Sequence, residues 1–353
     1  MMKFARKPAK LLAAALCIGL LATGCSSGGS KQASSSDGKE VIEIKLAHAS
    51  PAVNDRLEIA AQAFKKYVEE KSSGKLKVTT YPDSQLGAER EELEGIQLGS
   101  IQMGALSSGP LPGVFPKIMV FDLPYLFSTQ KAAYEVLDGP VGKEILDLMK
   151  AETGVRGLAW GENGFRHFTN SVRPIKQPSD MQGLKIRTME NPAHMAIVKS
   201  LGGSPTPMPF NEVYTGLQQK TIDGQENPLS LIVSMRFYEA QKYLTLDGHV
   251  YNPYILMIND DFYNGLSDDL KKIVDEGSLI WQKVEREENN KQVNAGLEKL
   301  KAEGLEITEL SLEQHKAFRD ASKSVYETIG KKEVGEELLN KVVKAVEEAE
   351  SKK

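Results

Sequence analysis

Val41-Ile42-Glu43-Ile44-Lys45-Leu46-Ala47 alternates apolar and polar side chains, and Leu76-Lys77-Val78-Thr79-Thr80-Tyr81 does so again before Pro82 ends the run. A period of two marks a strand with one buried face. Between the two runs, Leu57, Ala60, Phe64 and Val68 recur at helical spacing from Asn54 to Lys71, and Gly74 offers a C-terminal stop. Strand, helix and strand at this spacing predict a βαβ unit with parallel strands and a right-handed crossover.

The same rhythm extends outward. A helix is expected around Arg90 to Leu98, then a strand near Ile101 to Leu106, a helix from Gln130 to Lys150 and a strand from Val155 to Trp160. Leu184 to Met189 predicts a strand, Pro192 to Leu201 and Asn211 to Lys220 helices, and Asn252 to Ile258 another strand. After Ser267 the chain is charged and helical to about Gly304, unusually long for one globular helix. Gly335 to Lys353 predicts an amphipathic helix with Leu338, Leu339, Val342, Val343 and Val346 on one side. No internal repeat interrupts this α/β pattern.

The N-terminus is of another kind. Lys3, Arg6, Lys7 and Lys10 precede an uncharged apolar run from Leu11 to Ala22, too short for a membrane span and suited to an export signal. It ends in Leu21-Ala22-Thr23-Gly24-Cys25, which resembles the bacterial lipobox, with Ala22 where Leu is commoner. The expectation is a lipoprotein signal over 1–24, lipidation of Cys25, and a Ser/Gly-rich flexible tether over 25–40. Cys17 and Cys25 are the only cysteines, so the mature body has no disulfide or thiolate metal site. Removing the leader deepens the net charge from −4 to −8, which argues against nucleic acid as a partner. Any anion must then be held by local arginines.

Several ordered segments together resemble one family. They are Gln85-Leu86-Gly87, Asn163-Gly164-Phe165-Arg166, Gly183-Leu184-Lys185-Ile186-Arg187, Pro205-Thr206-Pro207-Met208-Pro209-Phe210, Asp223-Gly224-Gln225-Glu226-Asn227-Pro228, and Phe237-Tyr238-Glu239 with Lys242-Tyr243-Leu244. The series resembles the solute-binding subunit of tripartite ATP-independent periplasmic (TRAP) transporters, the dicarboxylate-binding family, from Val41 to about Leu300. The resemblance implies a two-domain α/β fold of the periplasmic-binding-protein kind, with a long domain-spanning helix and the ligand in the cleft. Mapped here, 41–163 with 253–292 would form domain I, and 164–252 with 293–353 domain II. It also implies a small and a large membrane subunit as partners, and an extracytoplasmic location.

Arg187 ends a short strand, at the edge where ligands sit in open α/β sheets, and its planar guanidinium matches a carboxylate. The resemblance makes it the carboxylate clamp; read by itself it is also compatible with a solvated strand residue. Arg166 is implied near the ligand, or else in an interdomain salt bridge. Asn227, before Pro228, fits a helix N-cap as well as an amide contact to ligand. Phe210 is implied as an apolar wall, and His48, Ser107 and Ser108 as substrate-distinguishing positions. Ser107 stands where sialic-acid-specific relatives carry a carboxylate, which argues against that sugar. Arg56 offers a second positive group, though early helical positions are usually solvated.

Catalysis is not expected. His48, His167, His194, His249 and His315 make no metal-binding helical pair, and neither a Gly-x-Ser-x-Gly elbow nor a phosphate-cradling loop occurs. No cofactor or metal is called for. A small organic acid is the expected ligand, with uronates or aldonates favoured. C4-dicarboxylates, an ATP-driven importer as partner, and a signalling sensor stay open.

Overall fold

A computed structural model describes residues 41–352. The expected lipidation site Cys25, the signal 1–24 and the tether 25–40 lie outside the described residues. The strands are β1 (Ile42–Ala47), β2 (Leu76–Tyr81), β3 (Met103–Ser107), β4 (Val155–Asn170), β5 (Lys185–Thr188), β6 (Ser204–Pro207), β7 (Gly224–Asn227), β8 (Tyr243–Asn259) and β9 (Glu306–Glu309). All join one sheet in the order β2-β1-β3-β8-β4-β7-β5-β6, with β9 on β8.

Two long antiparallel strands carry this sheet from one half to the other. The end of β8, residues 254–258, pairs with β3, while its start, residues 243–246, pairs with β9. β4 runs beside β8 throughout and pairs with β7 through His167–Asn170. The register of β4 on β8 shifts at 157/159, 162/164 and 166/168. Each extra residue bends and twists the ladder, and Gly164, with φ of +111°, supplies the left-handed turn at the middle one. β1 and β2 pair in parallel, as the βαβ reading requires.

The helices are α1 (Arg56–Lys71), α2 (Glu89–Gln97), α3 (Gln130–Leu137), α4 (Pro140–Thr153), α5 (Pro192–Ser200), α6 (Val213–Gln218), α7 (Leu229–Ser234), α8 (Asp260–Gly265), α9 (Asp268–Ala302), α10 (Leu312–Ser322) and α11 (Glu336–Ser351). The single helix expected from Gln130 to Lys150 is two. Pro140 cannot donate to the preceding turn, so the chain breaks at Asp138-Gly139 and restarts with proline at the first position of α4. α9, 35 residues and so about 50 Å long, packs Val274, Gly277 and Trp281 against the first half of the sheet. A Cβ on Gly277 would come within 2.8 Å of Val68, so this crossing with α1 is close. The far end of α9 places Leu300 in a cluster with Phe237 and Leu244 of the second half.

The segment 293–353, expected with domain II, divides its contacts. α10 lies against α5, but α11 packs on α3 and α4. Leu339, Val342 and Val346 there close over the apolar cluster around Leu123 and Val136, and Lys341 pairs with Glu144 at 2.6 Å. The tail thus packs against elements far from it in sequence. Among the described residues, no helix is long and apolar enough to cross a membrane.

Candidate functional site

β5 sits between β6 and β7, and Gly224 makes that placement possible. A Cβ there would lie 2.1 Å from the Thr169 carbonyl oxygen and would push β7 off β4. On β5, Ile186 and Arg187 are both buried while Lys185 is exposed. Arg187 is only 2% exposed. Its Nε and one terminal nitrogen donate to the Met208 carbonyl at 2.9 and 2.7 Å, and the guanidinium lies 6.0 Å over the Phe210 ring. The other terminal nitrogen is buried without a partner. Burial, and next the Arg166 charge, pushes the Arg187 pKa down from 12.5 to about 10. A buried cation with a free donor is a strong attractor for an anion.

Glu89, Gly109 and Pro110, from α2 and the loop after β3, face Arg187, Met189 and Phe210 across a cavity of about 20 Å³. Glu89 accepts the Ser107 amide at 2.7 Å and the Ser107 hydroxyl at 3.0 Å. Burial raises its pKa against those two hydrogen bonds and the nearby arginine charges. The wall opposite the arginine therefore presents a carboxylate, the group that accepts from hydroxyls. Sequence reasoning missed Glu89, because an acid in the first turn of a helix reads as a solvated complement to the helix dipole.

Behind the cavity lies a buried polar band. Arg166, fully buried, makes a two-pronged ion pair with Glu226 and also donates to Asn252 at 3.4 Å. Burial acts to raise the Glu226 pKa, but Arg166 and His194 together hold it well below the carboxylate range. Asp247, 2.9 Å from His249, raises that imidazole's pKa to about 9 against burial. Asn252 donates to the Ser108 hydroxyl at 2.6 Å, and Ser108 donates to Asp122 at 2.7 Å. Asn227 ends β7, its amide bonded to Gln225; Pro228 takes the N-cap position of α7, one residue later than expected.

Of the predicted site residues, Arg187 and Phe210 line the cavity and Ser107 borders it through Glu89. Arg166, Ser108 and Asn227 belong to the buried band. His48 stands apart, buried, 2.9 Å from Glu58. Arg56 is buried, not solvated. It bonds Glu285 at 3.2 Å and Asn163 at 2.9 Å beside the strand crossing, away from the Arg187 cavity. Asp122, His194 and Glu226 went unrecognised as a group; Glu226, between two other polar residues in a strand, was the available signal. Neither Ser107 nor Ser108 bonds an imidazole; both donate to carboxylates. Among the described residues no cluster of three or more metal-ligating side chains is formed.

A larger cavity, about 410 Å³, lies near the strand crossing between Tyr125, Phe165, His167, Asp247 and Arg319. None of the predicted residues lines it. The smaller cavity is the better anion site because it alone holds Arg187 with a donor unused.

The chain matches the family model described as bacterial extracellular solute-binding protein, family 7, over residues 46–333. It is 43% identical over 258 residues to a solute-binding protein of Verminephrobacter eiseniae, covering 73% of this chain and 77% of the other. It is 38% identical over 272 residues to the 2,3-diketo-L-gulonate-binding periplasmic protein of Escherichia coli, covering 76% and 80%. In structure it is similar to the sugar acid binding protein of Advenella mimigardefordensis in complex with galactonate, with a TM-score of 0.85 and 34% identity, covering 88% of this chain and 99% of that one.

Proposed function

The chain belongs to bacterial extracellular solute-binding protein family 7, and on that premise we propose that it captures a sugar acid, an aldonate or uronate, for a TRAP transporter. The observation that carries this reading is the free, buried terminal nitrogen of Arg187 facing Glu89 across the interlobe cavity. The nitrogen donates to the carboxylate, Glu89 accepts from hydroxyls, and Phe210 covers the carbon chain. The carboxylate–arginine pair fixes polarity, and the hydroxyl contacts choose the acid. Relatives that bind 2,3-diketo-L-gulonate and galactonate support the sugar acid, and others named for C4-dicarboxylates or holding succinate make that class the alternative the screen below tests.

A cavity of about 20 Å³ has room for little more than one water, so the walls must part to admit such a ligand. The proposed lobes, 41–163 with 253–292 against 164–252, move about the bulged crossing of β4 and β8, and ligand contact with both walls shifts the population to the closed form. The N-terminal reading completes the proposal: Cys25 carries lipid that anchors the protein outside the cytoplasm, where it meets the small and large membrane subunits. Cys25→Ser is expected to move the protein from the membrane fraction to the soluble one; retention on membranes refutes the anchor. A thermal-shift screen of sodium salts of aldonates, uronates and C4-dicarboxylates tests the ligand class. Stabilisation is expected from sugar acids and not from the matching neutral sugars; a response to neutral sugars alone would overturn the reading.

A further inference from the structure

We infer that Asp122 is an interlobe latch: a positioning residue, outside the ligand cavity, that holds the cavity's two walls together and so sets how tightly any anion is bound. The inference rests on the binding-protein reading above. Asp122 lies in the segment that follows β3 and is fully buried. One carboxylate oxygen accepts from Ser108 at 2.7 Å and from Asn252 at 3.2 Å. The other accepts from Asn191 at 2.8 Å, and His194 Nε2 stands 3.3 Å from the first.

These partners divide by where they sit. Ser108 belongs to the first wall, and Asn252 sits on β8 at the crossing where the lobes join, so Ser108 keeps Asp122 ordered whether or not the halves meet. Asn191 and His194 open α5, directly after β5 of the second half. Ser108 immediately precedes Gly109 and Pro110, and Asn191 immediately follows Met189 and Glu190, all four of which line the anion cavity. The Asp122–Asn191 bond therefore ties together the two segments that must separate to admit ligand. His194 extends the tie: its Nδ1 lies 3.5 Å from Glu226, the carboxylate that holds Arg166. The signs agree, since burial opposes charge on both groups yet Glu226 and Asp122 raise the His194 pKa, and His194 is the main partner holding that of Asp122 down.

A hydrogen bond to a charged group changes an equilibrium by about tenfold or somewhat more. Each second-half partner should thus shift the open-to-closed ratio by about that factor without contacting ligand. The full chain with Cys17→Ser and Cys25→Ser has no other cysteine, so cysteines introduced at exposed Leu98 and Val172, one in each half, take spin labels selectively. Pulsed electron-spin distances are measured in the latch-intact protein, Asn191→Ser, His194→Gln and Asp122→Asn, each with and without D-galactonate. Asn191→Ser keeps a residue able to cap α5, and thermal melts confirm folding.

The expected result is a short-distance population that falls about tenfold relative to the long one in Asn191→Ser and His194→Gln, with galactonate affinity falling in parallel and the ligand-saturated distance unchanged. Equal populations in all four proteins, or no short-distance population in the latch-intact protein under either condition, overturns the latch. Populations that respond to the substitutions but not to galactonate or other carboxylates leave the latch standing and remove the anion reading. Populations that galactonate closes equally in every variant do the reverse.

Discussion

Substituting Arg187→Met keeps a long, unbranched side chain in the cavity and deletes a buried charge, which separates the guanidinium's effect on ligand from its effect on the fold. Burial, with the Arg166 charge second, pushes the arginine's pKa from 12.5 to about 10; at 1.36 kcal/mol per unit, the charge is held at an expense of about 3 kcal/mol of stability. Because the unfolded chain grips this proton more tightly, the penalty is complete at every pH below about 10 and fades only above it. Methionine removes it. In exchange the Met208 carbonyl loses two donors, a change of about 1–3 kcal/mol in the other direction. Stability in urea melts should therefore move by no more than about 2 kcal/mol either way. Binding should not be spared: a desolvated carboxylate that loses its charged partner gives up about 2–5 kcal/mol, roughly thirtyfold to several-thousandfold in Kd. Calorimetry with the acid that gives the largest thermal shift reads that change. Unchanged affinity in the methionine variant, or destabilisation beyond about 3 kcal/mol, would refute the reasoning.

Three other substitutions follow from the same structure. Glu92 is fully buried, both its oxygens lack partners, and burial followed by the Glu89 and Glu91 charges pushes its pKa up to about 9. A raised carboxyl pKa weakens the fold above about pH 4.5, increasingly so up to pH 9, so Glu92→Gln should add about 3 kcal/mol at pH 7 and nothing at pH 4; melts at the two pH values decide it, and an equal shift at both refutes it. Gly224→Ala should destabilise by more than about 2 kcal/mol, since its Cβ would meet the Thr169 oxygen at 2.1 Å; a urea midpoint within error of the parent sinks the close-approach argument. Phe210→Ala removes the ring beside the guanidinium and should weaken sugar-acid binding about tenfold with little change in melting temperature; an unchanged Kd by calorimetry removes Phe210 from the site.

The parts of the fold legible in the sequence are those in which one physical force dominates. Alternation gave β1 and β2, helical periodicity gave α1, and the charged run after Ser267 gave α9 nearly to its ends. The sequence reading failed where polar residues are buried inside strands. Val155 to Trp160 and Asn252 to Ile258 are recognisable, yet β4 continues through Gly161, Glu162, Asn163 and Gly164, and β8 begins back at Tyr243 and contains Asp247 and Gly248. Such residues read as loop, because their hydrogen bonds are tertiary and leave no periodic trace. β6 carries Pro205 and Pro207, tolerated because it is an edge strand. Arg187 was found because it ends a recognisable strand inside a recognisable motif. Glu89, Asp122 and His194 were not, since each becomes unusual only through burial and through partners distant in sequence.

That blind region is also where the two halves meet, and the coincidence has a physical basis. An apolar seam between halves gains about 25 cal/mol for each Å² removed from water and resists reopening in proportion to its area. A seam of paired charges and amides behaves differently, because its groups recover hydration when they separate and the net difference between the two states is small. Asp122, Asn191, His194, Glu226, Arg166 and Asn252 form a seam of the second kind, in which both carboxylates accept hydrogen bonds and His194 stands beside each of them. Replacing the whole seam by a well-packed apolar one would bias the protein toward one form, whereas removing single members leaves the others buried without partners. A receptor that must both grip an anion and release it needs the balance that the polar band supplies. Asp122→Leu with Asn191→Leu is a removal of single members, because Ser108, Asn252 and His194 are left without their carboxylate and α5 without its cap: it should lower the melting temperature and speed ligand exchange in stopped-flow measurements. Unchanged exchange together with a lower melting temperature would show that the seam is not what governs opening.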